Sequence, residues 1–144
     1  LDVINSFSKY GKVVLGLNEN ETNKLFEILS AKYPDNLPEN DNLTAKGRFI
    51  FSVMNIEGLL IHPTDRSIMI TSDESIDIEG YIIDEPKIST GGGDNLNAGF
   101  CLGYILGFSM EESMILGMAT SGAYVKNGKS PDIRELISYL KTWN

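Results

Sequence analysis

Three consecutive glycines followed by an acid, Gly91-Gly92-Gly93-Asp94, are the residues of this chain best suited to chemistry. Glycines leave backbone N–H groups open to an approaching anion, and a helix starting there adds partial positive charge at its N-terminus. A phosphate-like anion fits such a turn. A carboxylate beside a bound anion is electrostatically costly. Asp94 therefore either takes a proton from an attacking hydroxyl or caps the helix, as Asp often does. On the turn alone, capping and anion binding both stay open.

Two further groups invite the same question. Asn18-Glu19-Asn20-Glu21 offers oxygen side chains of the kind that contact Mg²⁺ or its tightly held waters. In isolation these four residues also read as an N-cap asparagine with first-turn acids. Gly128-Lys129-Ser130 ends like a phosphate-binding Walker loop, but the glycine that loop requires would fall at Ala123, and Gly122 is one position too early. The segment also follows a helical pattern, whereas that loop follows a strand. His62, the single histidine, is accounted for by its place before Pro63.

The elements that must position these residues follow from periodicity. Lys12 to Leu17 is a β-branched run that predicts a strand, followed by a loop over Asn18 to Glu21. Leu25, Phe26, Ile28 and Leu29 then recur at helical spacing up to Lys32. Tyr33 to Asp41, with Pro34 and Pro38, predicts a surface connection. Leu43 to Met54 predicts a helix. Leu59 to His62 and Ser67 to Thr71 predict a hairpin split by Pro63-Thr64-Asp65-Arg66, and a further strand is expected from Ile76 through Tyr81-Ile82-Ile83. From Asp94 onward the pattern is helical. Gly99, Gly103 and Gly107 recur every four residues and predict a bare helix face for close packing. Glu111 to Lys126 and Pro131 to Trp143 predict two more helices, with Pro131 in a first turn. Strands, then a hairpin, then helices indicate an α/β sheet covered on both faces.

With 144 residues and 42% hydrophobic content the chain supports one sizeable core, so a single domain over 1–144 is expected. A formal charge of −8 argues against a polyanion-binding surface, and nucleic acid is not an expected partner. The lone Cys101 cannot form an internal disulfide and sits in the apolar run Ala98 to Met110, where a buried thiol and a reducing cytoplasm are expected. That run falls short of the roughly 20 residues a bilayer span needs, so no membrane association is expected.

At the glycine turn the chain resembles a known family. Ser89-Thr90-Gly91-Gly92-Gly93-Asp94-Asn95-Leu96-Asn97-Ala98-Gly99-Phe100 is similar to the second signature of the ribokinase-like (PfkB) carbohydrate kinases. It departs in having Ile88 for the leading Asp, Gly92 for Ala and Leu96 for Phe. The resemblance implies that Asp94 is the general base toward an acceptor hydroxyl and that the Gly91, Gly92 and Gly93 amides form the anion hole. Thr90 would be among the nucleotide-contacting residues. Phosphoryl transfer needs positioning and charge stabilisation more than covalent help, so the physics gives the same assignment. Asn18 and Glu21 match the family's Asn-x-x-Glu motif, which implies a role in organising Mg²⁺ near the phosphates of ATP. The family's Thr-x-Gly-x-x-Gly hairpin is replaced by His62-Pro63-Thr64-Asp65-Arg66-Ser67, where His62 or Thr64 would donate to a phosphate. Met118 to Gly128 matches the border of the adenine pocket. Ala123, Asn127 and Gly128 would contact adenine there, or else pack a helix and cap its end.

The implied fold is the C-terminal portion of a ribokinase-like three-layer α/β/α sandwich. A family member is about twice this length, so the N-terminal half with the sugar contacts and lid would be absent. The implied parent is an ATP- and Mg²⁺-dependent kinase of a sugar, sugar acid or nucleoside, with a homodimer among its expected assemblies. The isolated fragment is expected to be inactive. The alternative is a nucleotide-binding or regulatory module of the same fold that has lost catalysis.

Overall fold

The computed structural model describes residues 2–143. In chain order its elements are α1 (Asp2–Phe7), β1 (Val14–Leu17), α2 (Glu19–Lys32), a 3-10 turn (Pro34–Asn36), α3 (Leu43–Ser52), β2 (Gly58–Ile61), β3 (Arg66–Ile70), β4 (Ser75–Glu79), α4 (Gly92–Ile105), α5 (Met110–Asn127) and α6 (Ile133–Leu140). The strands form one sheet in the order β1-β2-β3-β4. β1 runs parallel to β2, and α2 and α3 lie between them in the chain, as a parallel connection demands. β2 and β3 form the expected antiparallel hairpin, with Leu59 opposite Ile70 and Ile61 opposite Ile68. The chain divides into two compact units. One runs to Pro63 and includes Ile68–Asp77; the other comprises Thr64–Ser67 and the residues from Ile78 onward.

In the first unit, the period-two alternation of β2 and β3 puts Leu59, Ile61, Ile68 and Ile70 on one face. They form a core with Leu29, Phe49, Ile50 and Met54 from the α2 and α3 segments. Each such buried side chain contributes about 1.5–3 kcal/mol relative to exposure. Phe26 and Phe49 meet edge to face at 5.3 Å, joining α2 to α3. Helix α3 can lie this close to the sheet because residue 47 is glycine. A Cβ there would stand 2.5 Å from Ile70 Cδ1 and 2.6 Å from Ile61 Cδ1.

In the second unit, α4 and α5 pack through small residues. A Cβ on Gly117 would lie 2.7 Å from the Leu96 carbonyl, and one on Gly99 would lie 2.8 Å from the Leu116 carbonyl. Leu96, Phe100, Met114, Met118, Ala119, Ala123 and Leu136 are its buried apolar residues. Helices α5 and α6 open with reciprocal capping boxes, Ser109 with Glu112 and Asp132 with Glu135.

Several expectations are corrected. Gly107 does not extend the bare face of α4. It ends that helix at φ 83, with its amide on the Tyr104 carbonyl and the Phe108 amide on the Gly103 carbonyl, a Schellman closure that needs a left-handed residue. Tyr81-Ile82-Ile83 is not a strand, because β4 stops at Glu79 and the Gly80 amide turns to the Asp65 carbonyl. Pro131 precedes the cap of α6 instead of occupying its first turn, since the Asp132 carboxylate accepts from the amides of Arg134 and Glu135. Asn18 to Glu21 is no loop, because α2 begins at Glu19. Cys101 is exposed, not buried: Gly99 faces α5, and a residue two positions on points about 200° away. No helix of the described residues is long and apolar enough to cross a membrane.

Candidate active site

The glycine turn opens α4 in the second unit, with Gly92 buried and Gly91 and Gly93 half-buried. Gly91 is the N-cap of α4 at φ 90 and ψ 0, so Gly92, Gly93 and Asp94 form the first helical turn. The helix thus starts two residues earlier than expected, because glycine at 91 can take the left-handed conformation that launches it. First-turn amides have no intrahelical acceptor. That of Gly92 reaches the Ser89 carbonyl only at 3.4 Å, longer than an ordinary N–H···O bond.

Asp94 does not cap this helix. It is the third helical residue, its carboxylate is exposed, and Gly91 has no side chain with which to cap. Of the two readings open to the sequence, the capping one is removed by the position of the residue.

The turn is tied to α5 and the segment beyond it. Tyr124 Oη donates to the Thr90 carbonyl at 3.0 Å. Asn95 donates to the Gly91 carbonyl twice, from its amide at 3.1 Å and from Nδ2 at 2.9 Å. Ser130 Oγ donates to Asn95 Oδ1 at 2.8 Å. The amides of Lys87 and Ile88, just upstream, donate to the Val125 carbonyl at 3.0 and 3.4 Å. The sequence placed Asn95 in the signature and Ser130 in the Walker-like segment, but it marked neither of them, nor Tyr124, as a support of the turn. Tyr124 and Ser130 bond to partners 34 and 35 residues away, and no spacing rule spans that distance.

Gly128-Lys129-Ser130 is thereby explained without a Walker loop. Gly128 closes α5 at φ 73, its amide on the Tyr124 carbonyl at 2.7 Å. Lys129 pairs with Glu135 at 2.6 Å. That hydrogen bond is the main cause of the raised Lys129 pKa, and on the partner side it is the main cause of the lowered Glu135 pKa. Of the three adenine candidates, Ala123 is buried, while Asn127 and Gly128 are exposed at the end of α5.

In the first unit, Asn18 and Glu21 cap α2 reciprocally. Asn18 Oδ1 accepts from the Glu21 amide at 2.9 Å, and Glu21 Oε2 accepts from the Asn18 amide at 2.8 Å. Glu21 remains exposed, and one carboxylate oxygen is not used by the cap. No group of three or more His, Cys, Asp or Glu that could hold a metal occurs among the described residues. A hard cation that keeps most of its waters is still compatible with such an oxygen pair. His62 follows β2, its amide on the Leu17 carbonyl at 2.9 Å. Thr64 is exposed, and beyond it in the second unit Asp65 and Arg66 approach at 3.6 Å.

A family model described as prokaryotic ketohexokinase matches residues 1–143. A ketohexokinase from Haloferax volcanii is 23% identical over 128 residues, which is 89% of this chain and 32% of that protein. Among solved structures, a ribokinase from Thermotoga maritima matches with a TM-score of 0.71 and 18% identity, over 89% of this chain and 42% of its own. A ribokinase from Arabidopsis thaliana complexed with ribose and ATP matches with a TM-score of 0.71 and 18% identity, over 89% and 40%. The chain therefore spans about a third of the curated relative it matches, and it has the mixed α/β fold of the ribokinase-like kinases over part of their length.

Proposed function

Because the chain belongs to the prokaryotic ketohexokinase family, we propose that the full-length protein is a sugar kinase that transfers the γ-phosphoryl group of ATP to a hydroxyl of a ketohexose. ATP as donor is supported by the Arabidopsis ribokinase complex with ribose and ATP. The observation that carries the reading is Asp94, an exposed carboxylate in the first turn of α4 with no capping duty, next to a turn of bare amides.

In this reading the amides of Gly91, Gly92 and Gly93 hold the charge that develops on the transferred phosphoryl group. Asp94 takes the proton of the acceptor hydroxyl as its oxygen bonds to phosphorus. The bond from that phosphorus to the bridging oxygen of ATP breaks, and ADP leaves. Asn18 and Glu21 would hold Mg²⁺ through its waters, and the bound ion would neutralise phosphate charge. Thr90, His62 and Thr64 would contact the nucleotide phosphates, and Ala123, Asn127 and Gly128 would border adenine.

One observation favours a second reading. The hairpin turn His62-Pro63-Thr64-Asp65-Arg66-Ser67 contains no glycine, so a phosphate approaching its backbone meets side chains. A nucleotide-binding module without turnover is the corresponding alternative. A coupled ADP-release assay of the full-length protein with ATP, Mg²⁺ and a panel of ketohexoses, aldoses and nucleosides separates the two. We expect ketohexose-dependent turnover, and an Asp94→Asn variant that binds ATP normally but loses about 10²–10⁴ in kcat. ATP binding without turnover on any acceptor would establish the module instead.

A further inference from the structure

Tyr124 and Asn95, the latter held by Ser130, bond to the glycine turn on two successive peptide groups. The Thr90 carbonyl, which accepts from Tyr124 Oη at 3.0 Å, shares its peptide with the Gly91 N–H. The Gly91 carbonyl, which accepts twice from Asn95, shares its peptide with the Gly92 N–H. A peptide whose oxygen accepts a hydrogen bond carries a more positive N–H, and bonds linked in this way polarise one another. The Tyr124 hydroxyl also fills the space below the turn: a Cβ on Gly91 would stand 2.9 Å from it. Ser130 Oγ donates to Asn95 Oδ1, which fixes the Asn95 amide with its Nδ2 on the Gly91 carbonyl.

We propose that Tyr124, Asn95 and Ser130 are positioning residues that orient and polarise the Gly91 and Gly92 amides toward a bound phosphoryl group. They act through the turn and touch no reacting atom. The inference rests on the anion-hole reading of that turn, and a donor set that acts only on transition-state charge should change kcat more than acceptor KM.

The test uses the full-length protein and its Tyr124→Phe, Asn95→Ala, Ser130→Ala and Asn95→Ala/Ser130→Ala variants. Steady-state kinetics with ATP and a ketohexose are measured beside melting curves and the amide resonances of Gly91 and Gly92 during titration with inorganic phosphate. We expect Tyr124→Phe to lower kcat about tenfold, the equivalent of one ordinary hydrogen bond, with acceptor KM unchanged and a reduced phosphate response at Gly91. Ser130→Ala should lower kcat alone but have no further effect on Asn95→Ala, because the two form one relay. Active wild type with unchanged kcat in Tyr124→Phe, or additive losses for Ser130 and Asn95, would overturn the inference. Wild type that phosphorylates no sugar overturns the kinase reading instead, and the phosphate response of the two amides then still decides whether these residues set the turn.

Discussion

At the scale of single residues, Asp94 and Gly91 divide the work of the turn between charge and conformation. Asp94 was ambiguous in the sequence because an acid near a helix start can be a cap. Its place as the third helical residue, behind a glycine cap, leaves the carboxylate free for proton transfer in the proposed reaction. Gly91 is required for shape. Its φ of 90 costs a residue with a Cβ roughly 1–2 kcal/mol, and that Cβ would press on Tyr124 Oη at 2.9 Å. Gly91→Ala is therefore expected to lower unfolding free energy by at least that amount and to weaken nucleotide binding. Gly92→Ala should be milder, since its Cβ would meet only Ser121 and Val125 side-chain atoms at 3.4 Å. Denaturant melts of both variants, read beside ATP calorimetry, check the order.

At the scale of elements, the close approach of α4 and α5 rests on glycine backbone against backbone. A methyl on Gly117 would meet the Leu96 carbonyl at 2.7 Å and the Phe100 amide at 3.1 Å, atoms that cannot swing aside. Gly117→Ala should cost about 1–3 kcal/mol, whereas Gly11→Ala meets nothing within 4 Å and should be near neutral. Thermal midpoints compare the two directly. The helix caps make a separate prediction. The Glu112 pKa is held below its ordinary 4.5 first by the Ser109 amide, and that of Glu135 first by Lys129. A carboxylate with a depressed folded pKa stabilises above its unfolded value and loses that contribution as pH falls through the folded one. The capping contribution is thus expected to fade below 4.5, and Glu112→Gln and Glu135→Gln should each flatten the acid limb of the melting profile. Lys129 has the opposite sign. Its raised pKa gives a contribution present below 10.5 and lost as pH climbs through the raised value.

At the scale of the whole molecule, the chain spans 32% of the length of its Haloferax relative. In the proposed reading this chain supplies the phosphoryl clamp and the base while the acceptor is aligned elsewhere in the protein, so the chain by itself would forgo the positioning share of catalysis, which can reach roughly 7–11 kcal/mol of barrier. We expect the isolated 144 residues to bind ATP or ADP and to show no sugar-dependent turnover. Calorimetry and a coupled assay over a sugar panel, run on the same preparation, are the measurements. Robust turnover by this chain would place the acceptor site within it.

The sequence by itself determined whatever depends on neighbours within about four positions. The helix periods of α2, α3 and α5 were legible this way, as were the β2–β3 hairpin, the bare amides before Asp94 and the cap-forming Asn18 with Glu21. The family resemblance was carried by the same local residues, Ser89 to Phe100 above all. Only the tertiary structure decided features set by distant contacts or by the exact register of a helix. These are the start of α4 at Gly92, the outward face of Cys101, the use of Gly107 as a terminator and the support of the turn by Tyr124 and Ser130. The reason is geometric. A turn or a cap is encoded by residues that touch along the chain. Which side of a helix meets its neighbour, and which carbonyl a tyrosine 34 positions away can reach, exists only once the helices have packed.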